Sequence, residues 1–158
     1  MIREIAGKIL FLLFLLLSFS LFASGKTEIV IEYQHSRRML YNTITVKIDV
    51  NKISVKVDNM ERNVMYFNFK KEIDITEEYF ELIYRRFINI NYNEIFDNSR
   101  NIVGTDGNTI SITIKTPQDK MEISLWSINY MVDERKTGDL IILLKDVFSL
   151  FDLENQIF

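Results

Sequence analysis

The sequence is short of the residues on which most catalytic and metal sites depend. Among its 158 residues there is no cysteine, one proline and one histidine, His35. Without cysteine there can be no disulfide, no thiol nucleophile and no thiolate-bound zinc or iron–sulfur cluster. A single histidine also excludes a histidine-rich metal site within one chain. We therefore expect neither a metal nor another cofactor.

Phosphate-binding and nucleophile motifs are missing as well. The five glycines form no glycine-rich phosphate loop, and neither Gly-x-Ser-x-Gly nor Ser-x-x-Lys occurs. The net charge is −3, so no basic excess points to nucleic acid or anionic lipid as a partner. What the chain does contain, 47% hydrophobic and 26% charged residues, is typical of a globular protein.

Residues 1–25 have the three-part layout of a secretory signal peptide. Arg3 and Lys8 give a slightly basic start, residues 9–22 are almost entirely Leu, Phe and Ile, and Ala23-Ser24-Gly25 offers small residues for cleavage. The apolar run is shorter than the roughly 20 residues of a membrane span, and the alternative is an uncleaved anchor. The sequence predicts a signal peptide over residues 1–25 and one exported domain over residues 26–158, periplasmic or secreted, with no stable membrane span.

Alternating apolar residues predict a hairpin over residues 44–57. The apolar positions are even-numbered before Asn51-Lys52 and odd-numbered after it, so a turn there places all of them on one face. This turn would pair position 50 with 53, 48 with 55 and 46 with 57, and would set Lys47 opposite Lys56. A four-residue loop that keeps the same register is an acceptable alternative.

A second hairpin is predicted over residues 110–125. Its turn is Thr116-Pro117-Gln118-Asp119, which pairs position 115 with 120, 114 with 121 and 112 with 123. Again every apolar side chain shares one face. Two more strands are expected, one over residues 27–33 and one that contains Met65, Phe67 and Phe69.

Two amphipathic helices complete the predicted fold. Thr76 is expected to cap the first, and Asp139 or Thr137 the second.

Residues 89–108 and 129–138 are interpreted as loops. The prediction is an α+β domain with an antiparallel sheet of about six strands, in the order β-β-β-β-α-β-β-α, and two helices on its apolar face. The apolar stripes of the two helices are Phe80, Ile83, Tyr84 and Phe87, and Leu140, Leu143, Leu144, Val147, Phe148 and Phe151, with Ile141, Ile142 and Leu150 widening the second.

Residues 76–152 combine a helix, an Asp-Gly loop, a hairpin and a second helix. The residues that carry this pattern are Phe80, Ile83, Asp106, Gly107, Ile110, Ile112, Leu125, Leu140 and Leu144. The layout resembles that of small bacterial exported α+β domains of unknown function. The similarity covers about half of the chain and implies the fold, but no activity and no functional residue.

Few residues are candidates for chemistry. His35, followed by Ser36-Arg37-Arg38, lacks an evident nucleophile or orienting carboxylate, and a connecting loop is favoured. Paired arginines, Arg37-Arg38 and Arg85-Arg86, would suit phosphates or carboxylates, but solvated surface positions are favoured. Four acidic residues are candidates for a hydrolytic carboxylate pair or a calcium site, although Asp-Gly is more often a turn: Asp97, Asp106, Asp133 and Glu134.

Trp126, with Tyr130 nearby, is the candidate interaction surface. Position 126 alternates with the apolar positions of its strand and so shares a face with the polar side chains. Either the outer face of the sheet exposes Trp126, or Trp126 anchors the core at the sheet edge. The expected function is a non-catalytic binding module of the cell envelope, with an unidentified protein or envelope component as its partner. The alternatives are a small carboxylate-dependent hydrolase and an inhibitor or immunity-type protein.

Overall fold

The computed structural model describes residues 26–35, 43–58, 69–102 and 107–158. The predicted leader, the Ser36-Arg37-Arg38 segment, Met65, Phe67 and Asp106 lie outside these ranges. The strands are β1 (Glu28–His35), β2 (Thr43–Asp49), β3 (Lys52–Asp58), β4 (Phe69–Asp74), β5 (Asn108–Lys115) and β6 (Lys120–Trp126). The helices are α1 (Glu77–Ile88), α2 (Tyr92–Ser99), α3 (Val132–Arg135), α4 (Gly138–Ser149) and α5 (Glu154–Ile157).

The six described strands form one antiparallel sheet in the order β4-β3-β2-β1-β5-β6. The predicted α+β class and antiparallel sheet are therefore confirmed. The first strand lies in the interior of the sheet, because β1 pairs with β2 on one side and with β5 on the other. The two edges are β4 and β6, both of which reach solvent.

The β2–β3 hairpin has the predicted face but a different register. Ile48 lies opposite Ile53 and Val46 opposite Val55, and only Val50 and Asn51 separate the two strands, so the turn centred on Asn51-Lys52 and the four-residue loop in the same register are both wrong. Asp49 explains the shift, since its carboxylate accepts hydrogen bonds from the backbone N–H groups of Asn51 and Lys52, each at 3.0 Å. The predicted pairing of Lys47 with Lys56 is also wrong: Lys47 faces Ser54 and Lys56 faces Thr45.

The β5–β6 hairpin has the predicted register. Ile114 lies opposite Met121 and Ile112 opposite Ile123. The turn is closed by a hydrogen bond of 2.8 Å from the Thr116 N–H to the Asp119 carbonyl. The Thr116 hydroxyl oxygen also accepts from the backbone N–H of Asp119 at 3.0 Å.

One face of the sheet is apolar and forms the core with the helices. The opposite face carries Thr, Ser, Lys and Glu, as the alternation predicts. Val46 and Val57 are both fully buried, so they point to the same side. The buried strand side chains of the core are Ile29, Ile31, Tyr33, Ile44, Val46, Ile48, Ile53, Val55, Val57, Ile110, Ile112, Ile114 and Leu125.

Helices α1 and α4 supply the other half of the core. The Thr76 hydroxyl caps α1 as predicted, accepting a hydrogen bond from the Tyr79 N–H at 3.2 Å. Thr137 occupies the position before α4, but its hydroxyl donates to the Ile128 carbonyl at 3.1 Å and does not cap the helix. The wide apolar stripe of α4 is mostly used by the core, since Ile141 is buried and only Ile142 is strongly exposed, at 57%.

Two predicted loops contain helices. Residues 89–108 hold α2, which begins where the Asn91 side chain accepts a hydrogen bond from the Glu94 N–H at 3.3 Å and which buries Ile95. Residues 129–138 hold the single turn α3, flanked by left-handed residues at Met131 and Lys136. Neither segment has the repeated apolar positions of a long amphipathic helix, which is why periodicity missed both. In the described part of the chain, no helix is both long and apolar enough to cross a membrane.

Candidate functional site

Trp126 is the last residue of β6 and lies on the outer face, opposite Thr109. Its side chain is half-buried and is not among the residues of the core. Tyr130, which is 53% exposed, meets the indole edge-on with the ring centroids 6.1 Å apart. A Cβ built on Gly107 would come within 2.7 Å of the Trp126 Nε1 atom, so the indole lies directly against the backbone there. The two predicted surface residues are thus in contact.

A groove of about 320 Å³ begins at this tryptophan and runs between the β6 edge and α2. We call it the β6 groove. It is lined by Phe96, Ser99 and Arg100 of α2 and its C-terminal cap, by residues 124–126 of β6, and by Arg135 of α3. Phe96 is 59% exposed, so its ring gives one side of the groove an apolar surface that solvent reaches.

The backbone of β6 offers hydrogen-bonding groups to this groove that no described strand pairs with. The Ser127 N–H donates to the Asn108 carbonyl, and the Thr116 N–H donates to the Asp119 carbonyl. These two hydrogen bonds show which residues of β6 point their backbone groups toward β5. Odd-numbered residues of β6 therefore bond to β5, and even-numbered residues point away from it. The N–H and C=O groups of Ser124 and Trp126 consequently face the groove side of the strand.

Arg135 is a buried cation with no acidic partner in the described part of the chain. It is 2% exposed, and its Nη1 atom donates to the carbonyls of Ser127 at 2.7 Å and Tyr130 at 3.2 Å. Its Nε atom donates to the Ser99 hydroxyl at 3.0 Å. Burial lowers the pKa of the Arg135 guanidinium, but an arginine keeps its charge at neutral pH. The groove therefore contains one positive charge that the neighbouring described residues do not neutralise.

Arg100 adds a second guanidinium at the rim, but this one is paired. It lies 5.1 Å from the centre of the Phe96 ring and its Nη2 atom is 3.0 Å from the Asp97 carboxylate. Asp97, a predicted candidate for hydrolysis, is thus an exposed ion-pair partner of arginine. The net charge of the groove comes from Arg135.

The remaining predicted residues do not meet at this groove. Arg85 and Arg86 pair with Glu81 and Asp146 at 3.8 and 2.7 Å, so their guanidinium groups are engaged within the helical layer. Asp133 lines a separate cleft of about 370 Å³ with Glu94 and Asp139, and Glu134 is exposed on the same turn as Asp133. The backbone of His35 ends β1. Among the described residues, no cluster of three or more His, Cys, Asp or Glu side chains is arranged to hold a metal ion.

Comparison with protein-family models and with curated proteins finds no match for this chain. The resemblance to small bacterial exported domains therefore stays a prediction.

Sequence reasoning singled out Trp126 and Tyr130, whose role as an interaction surface stays a prediction, and it missed Arg135, Phe96 and the groove itself. Arg135 stands in a polar stretch that reads as a loop, and nothing local distinguishes it from a solvated arginine. Its burial depends on partners up to 36 residues away in the chain. The one indication in the sequence was the position of Trp126 among the polar residues of its strand. It placed an aromatic side chain on an otherwise polar face.

Proposed function

We propose that this chain is an exported, non-catalytic binding module whose 26–158 domain recognises a partner protein through the β6 groove. One observation carries the proposal. An open, uncharged stretch of sheet edge lies in one groove with the exposed Phe96 ring, the Trp126 indole and Arg135, which has no acidic partner among the described residues. Aromatic residues and arginine are the side chains most enriched at the energetic centres of protein interfaces.

The outer face of the sheet is polar, which favours binding of a partner at the β6 edge over binding on that face. That face carries exposed lysine and glutamate side chains on its inner strands, such as Lys47 on β2 and Lys56 on β3. Charged lysine and glutamate are depleted from the centres of interfaces. A partner that buries apolar surface is therefore better accommodated at the groove.

The alternative of a carboxylate-dependent hydrolase has the cleft of Glu94, Asp133 and Asp139 as its site. All three side chains are exposed. A general acid of this class is held in an apolar enclosure that stabilises its protonated form, and an exposed carboxylate lacks that enclosure. The inhibitor or immunity-type alternative is a special case of binding and would use the same groove.

Site-specific photocrosslinking in intact cells tests the proposed surface. A benzoylphenylalanine at position 130 is compared with the same residue at position 79, since Tyr79 is an exposed tyrosine on the distant helix α1. We expect a discrete crosslinked partner from position 130 and none of that mass from position 79. The same products from both positions, or none from either, would contradict the proposal.

Export is tested separately. The full chain is expressed, the cells are fractionated, and the intact mass of the purified protein is measured. We expect a chain that begins at Lys26 and lies outside the cytoplasm. A cytoplasmic protein that retains Met1 would overturn the assigned compartment while leaving the groove unaffected.

A further inference from the structure

We propose that the β6 groove takes the C-terminal end of an extended peptide, which pairs with the free edge of β6 and places its terminal carboxylate on Arg135. This inference rests on the proposed function, because it names the kind of partner that the binding surface fits.

The first support is the free edge of the strand. The outward N–H and C=O groups of Ser124 and Trp126 provide two donors and two acceptors in the spacing of a β-ladder. An extended peptide satisfies such groups by adding a strand to the sheet. Charge, which normally discourages strand addition, is absent from residues 123–126.

The second support is the position of Arg135. Its guanidinium joins the carbonyl of Ser127, the residue that follows β6, to the hydroxyl of Ser99 on α2. It therefore closes the groove at the end of the strand. The Nη2 atom takes part in no hydrogen bond with the described residues, so the guanidinium has a donor left for an incoming anion.

Charge complementarity decides the chemistry of the occupant. Arg135 has no acidic partner among the described residues, and a carboxylate that forms charge-assisted hydrogen bonds to a buried cation offsets the cost of burying its charge. In an added strand, side chains point above and below the sheet, whereas Arg135 lies beyond Trp126 in the direction of the strand. A terminal carboxylate continues along the chain direction and reaches that position, so the peptide runs parallel to β6.

Exposed Phe96 gives the groove an apolar wall. We therefore expect the last or second-to-last side chain of the peptide to be apolar. An internal aspartate or glutamate would direct its carboxylate toward a face of the sheet and away from Arg135.

The test uses a pool of random synthetic heptapeptides, half with a free C-terminal carboxylate and half with a C-terminal amide. The pool is passed over immobilised protein purified from cells that express the full chain, and retained peptides are sequenced by mass spectrometry. We expect free acids to be enriched about tenfold over amides, as for a hydrogen-bonded charge pair. Equal retention of acids and amides, or no retained peptide at all, would overturn the inference.

Two variants examine the strand edge. Ser124→Pro removes an N–H that faces away from β5, a position at which proline is tolerated in an edge strand. Glu72→Pro makes the same change on β4, where the hydrogen bond from the Ile75 N–H to the Asn51 carbonyl shows that even-numbered residues face away from β3. We expect about tenfold weaker retention of free-acid peptides with Ser124→Pro and unchanged retention with Glu72→Pro. Equal effects of the two changes count against strand addition.

A third variant, Arg135→Lys, keeps the positive charge and loses the planar fork of donors. We expect it to reduce the preference for acids over amides, with circular dichroism used to confirm that the variant is folded. If amidated peptides with an internal Asp or Glu are retained as well as free acids, the C-terminal assignment is wrong. A partner crosslinked at position 130 together with indifference to the peptide terminus would leave the proposed function standing and sink this inference alone.

Discussion

The two edges of the sheet are protected to very different degrees. Strand β4 has the sequence Phe-Lys-Lys-Glu-Ile-Asp, with charged residues at four of its six positions. One of them, Lys71, lies on the core-facing side opposite Val55 and extends its ammonium to 5.9 Å from the centre of the Phe151 ring. On strand β6 the charges are confined to the hairpin end, where Lys120 and Glu122 form an ion pair of 2.6 Å.

Under the proposed function, this difference separates an edge that discourages association from one that permits it. Lysine on an edge, and especially a charge that points inward, is a common device against the addition of a foreign strand. Charged residues occupy most positions of β4, whereas the last four residues of β6 contain none. The unprotected stretch is also the one that lines the groove, so the omission coincides with a surface that has other features of a binding site.

The largest expected effect is on the free energy of unfolding, and it compares how tightly the two edge strands are packed. Leu125→Ala on β6 removes a side chain that is 4% exposed, and we expect it to lower the free energy of unfolding by about 3 kcal/mol. Ile73→Ala on β4 removes a half-buried side chain, and we expect a loss of about 1.5 kcal/mol. Urea unfolding followed by circular dichroism measures both. Equal losses would mean that β4 is packed as tightly as β6.

A substitution of Gly107 should disturb the wall of the groove, because Gly107 lies against the Trp126 indole. A Cβ there would lie 2.7 Å from Trp126 Nε1 and would also collide with Ser127 Oγ, so Gly107→Ala is expected to displace the indole and to cost about 2 kcal/mol. Because Trp126 is the only tryptophan, its fluorescence spectrum reports the displacement directly.

Gly138→Ala is the matched control. Its Cβ would meet nothing closer than Val132 Cγ1 at 3.8 Å, and alanine suits a helix better than glycine, so we expect no loss of stability and an unchanged spectrum. A spectral change with Gly138→Ala, or none with Gly107→Ala, would contradict the contact between Gly107 and the indole.

Removing the protection of β4 should make that edge associate. The double variant Lys70→Thr/Glu72→Thr deletes an exposed ion pair of 2.7 Å together with the 3.3 Å contact between Glu72 and Lys52. It leaves the net charge unchanged, and because both contacts are exposed we expect a stability change within about 0.5 kcal/mol. We also expect concentration-dependent self-association in sedimentation velocity. The control Lys56→Thr/Asp58→Thr deletes an equivalent pair of 2.7 Å on the inner strand β3 and should stay monomeric. Association of both variants would show that lost charge alone, and not the edge, is responsible.

The smallest expected effect concerns pH. Hydrogen bonds from Lys70 and Lys52 hold the pKa of the Glu72 carboxyl below its ordinary value. A depressed folded-state pKa contributes stability at pH values above the unfolded pKa of about 4.3, and that contribution is lost as the pH falls through the folded value. Glu72→Gln should therefore slightly flatten the fall in stability on acidification. A steeper fall in the variant would reverse the assigned sign.

Much of the sheet could be predicted because alternation and burial are local properties of each strand. The second hairpin has the predicted register, since Pro117 and Asp119 leave little choice of turn. The first hairpin does not, because the outcome depended on whether Asp49 would accept two backbone hydrogen bonds, which parity alone does not reveal. The same limit applies to α2 and α3, whose few apolar positions have no recognisable period.

The site was less predictable than the fold for a physical reason. Trp126 and Tyr130 could be proposed as a surface pair because an aromatic residue among the polar positions of a strand is visible in the sequence. Arg135 could not, since its burial is created by Ser99, Ser127 and Tyr130 after the chain has folded. A buried charge is a property of the tertiary structure, and no short stretch of sequence encodes it.

The most direct measurement of the central claim is amide hydrogen exchange at the two edges. In the free protein, the N–H groups of Ser124 on β6 and Glu72 on β4 should both exchange rapidly, because each points away from its neighbouring strand. Addition of a retained free-acid heptapeptide should slow exchange at Ser124 and Trp126 at least about tenfold and leave Glu72 unchanged. A bound peptide that protects neither Ser124 nor Trp126 would contradict the account.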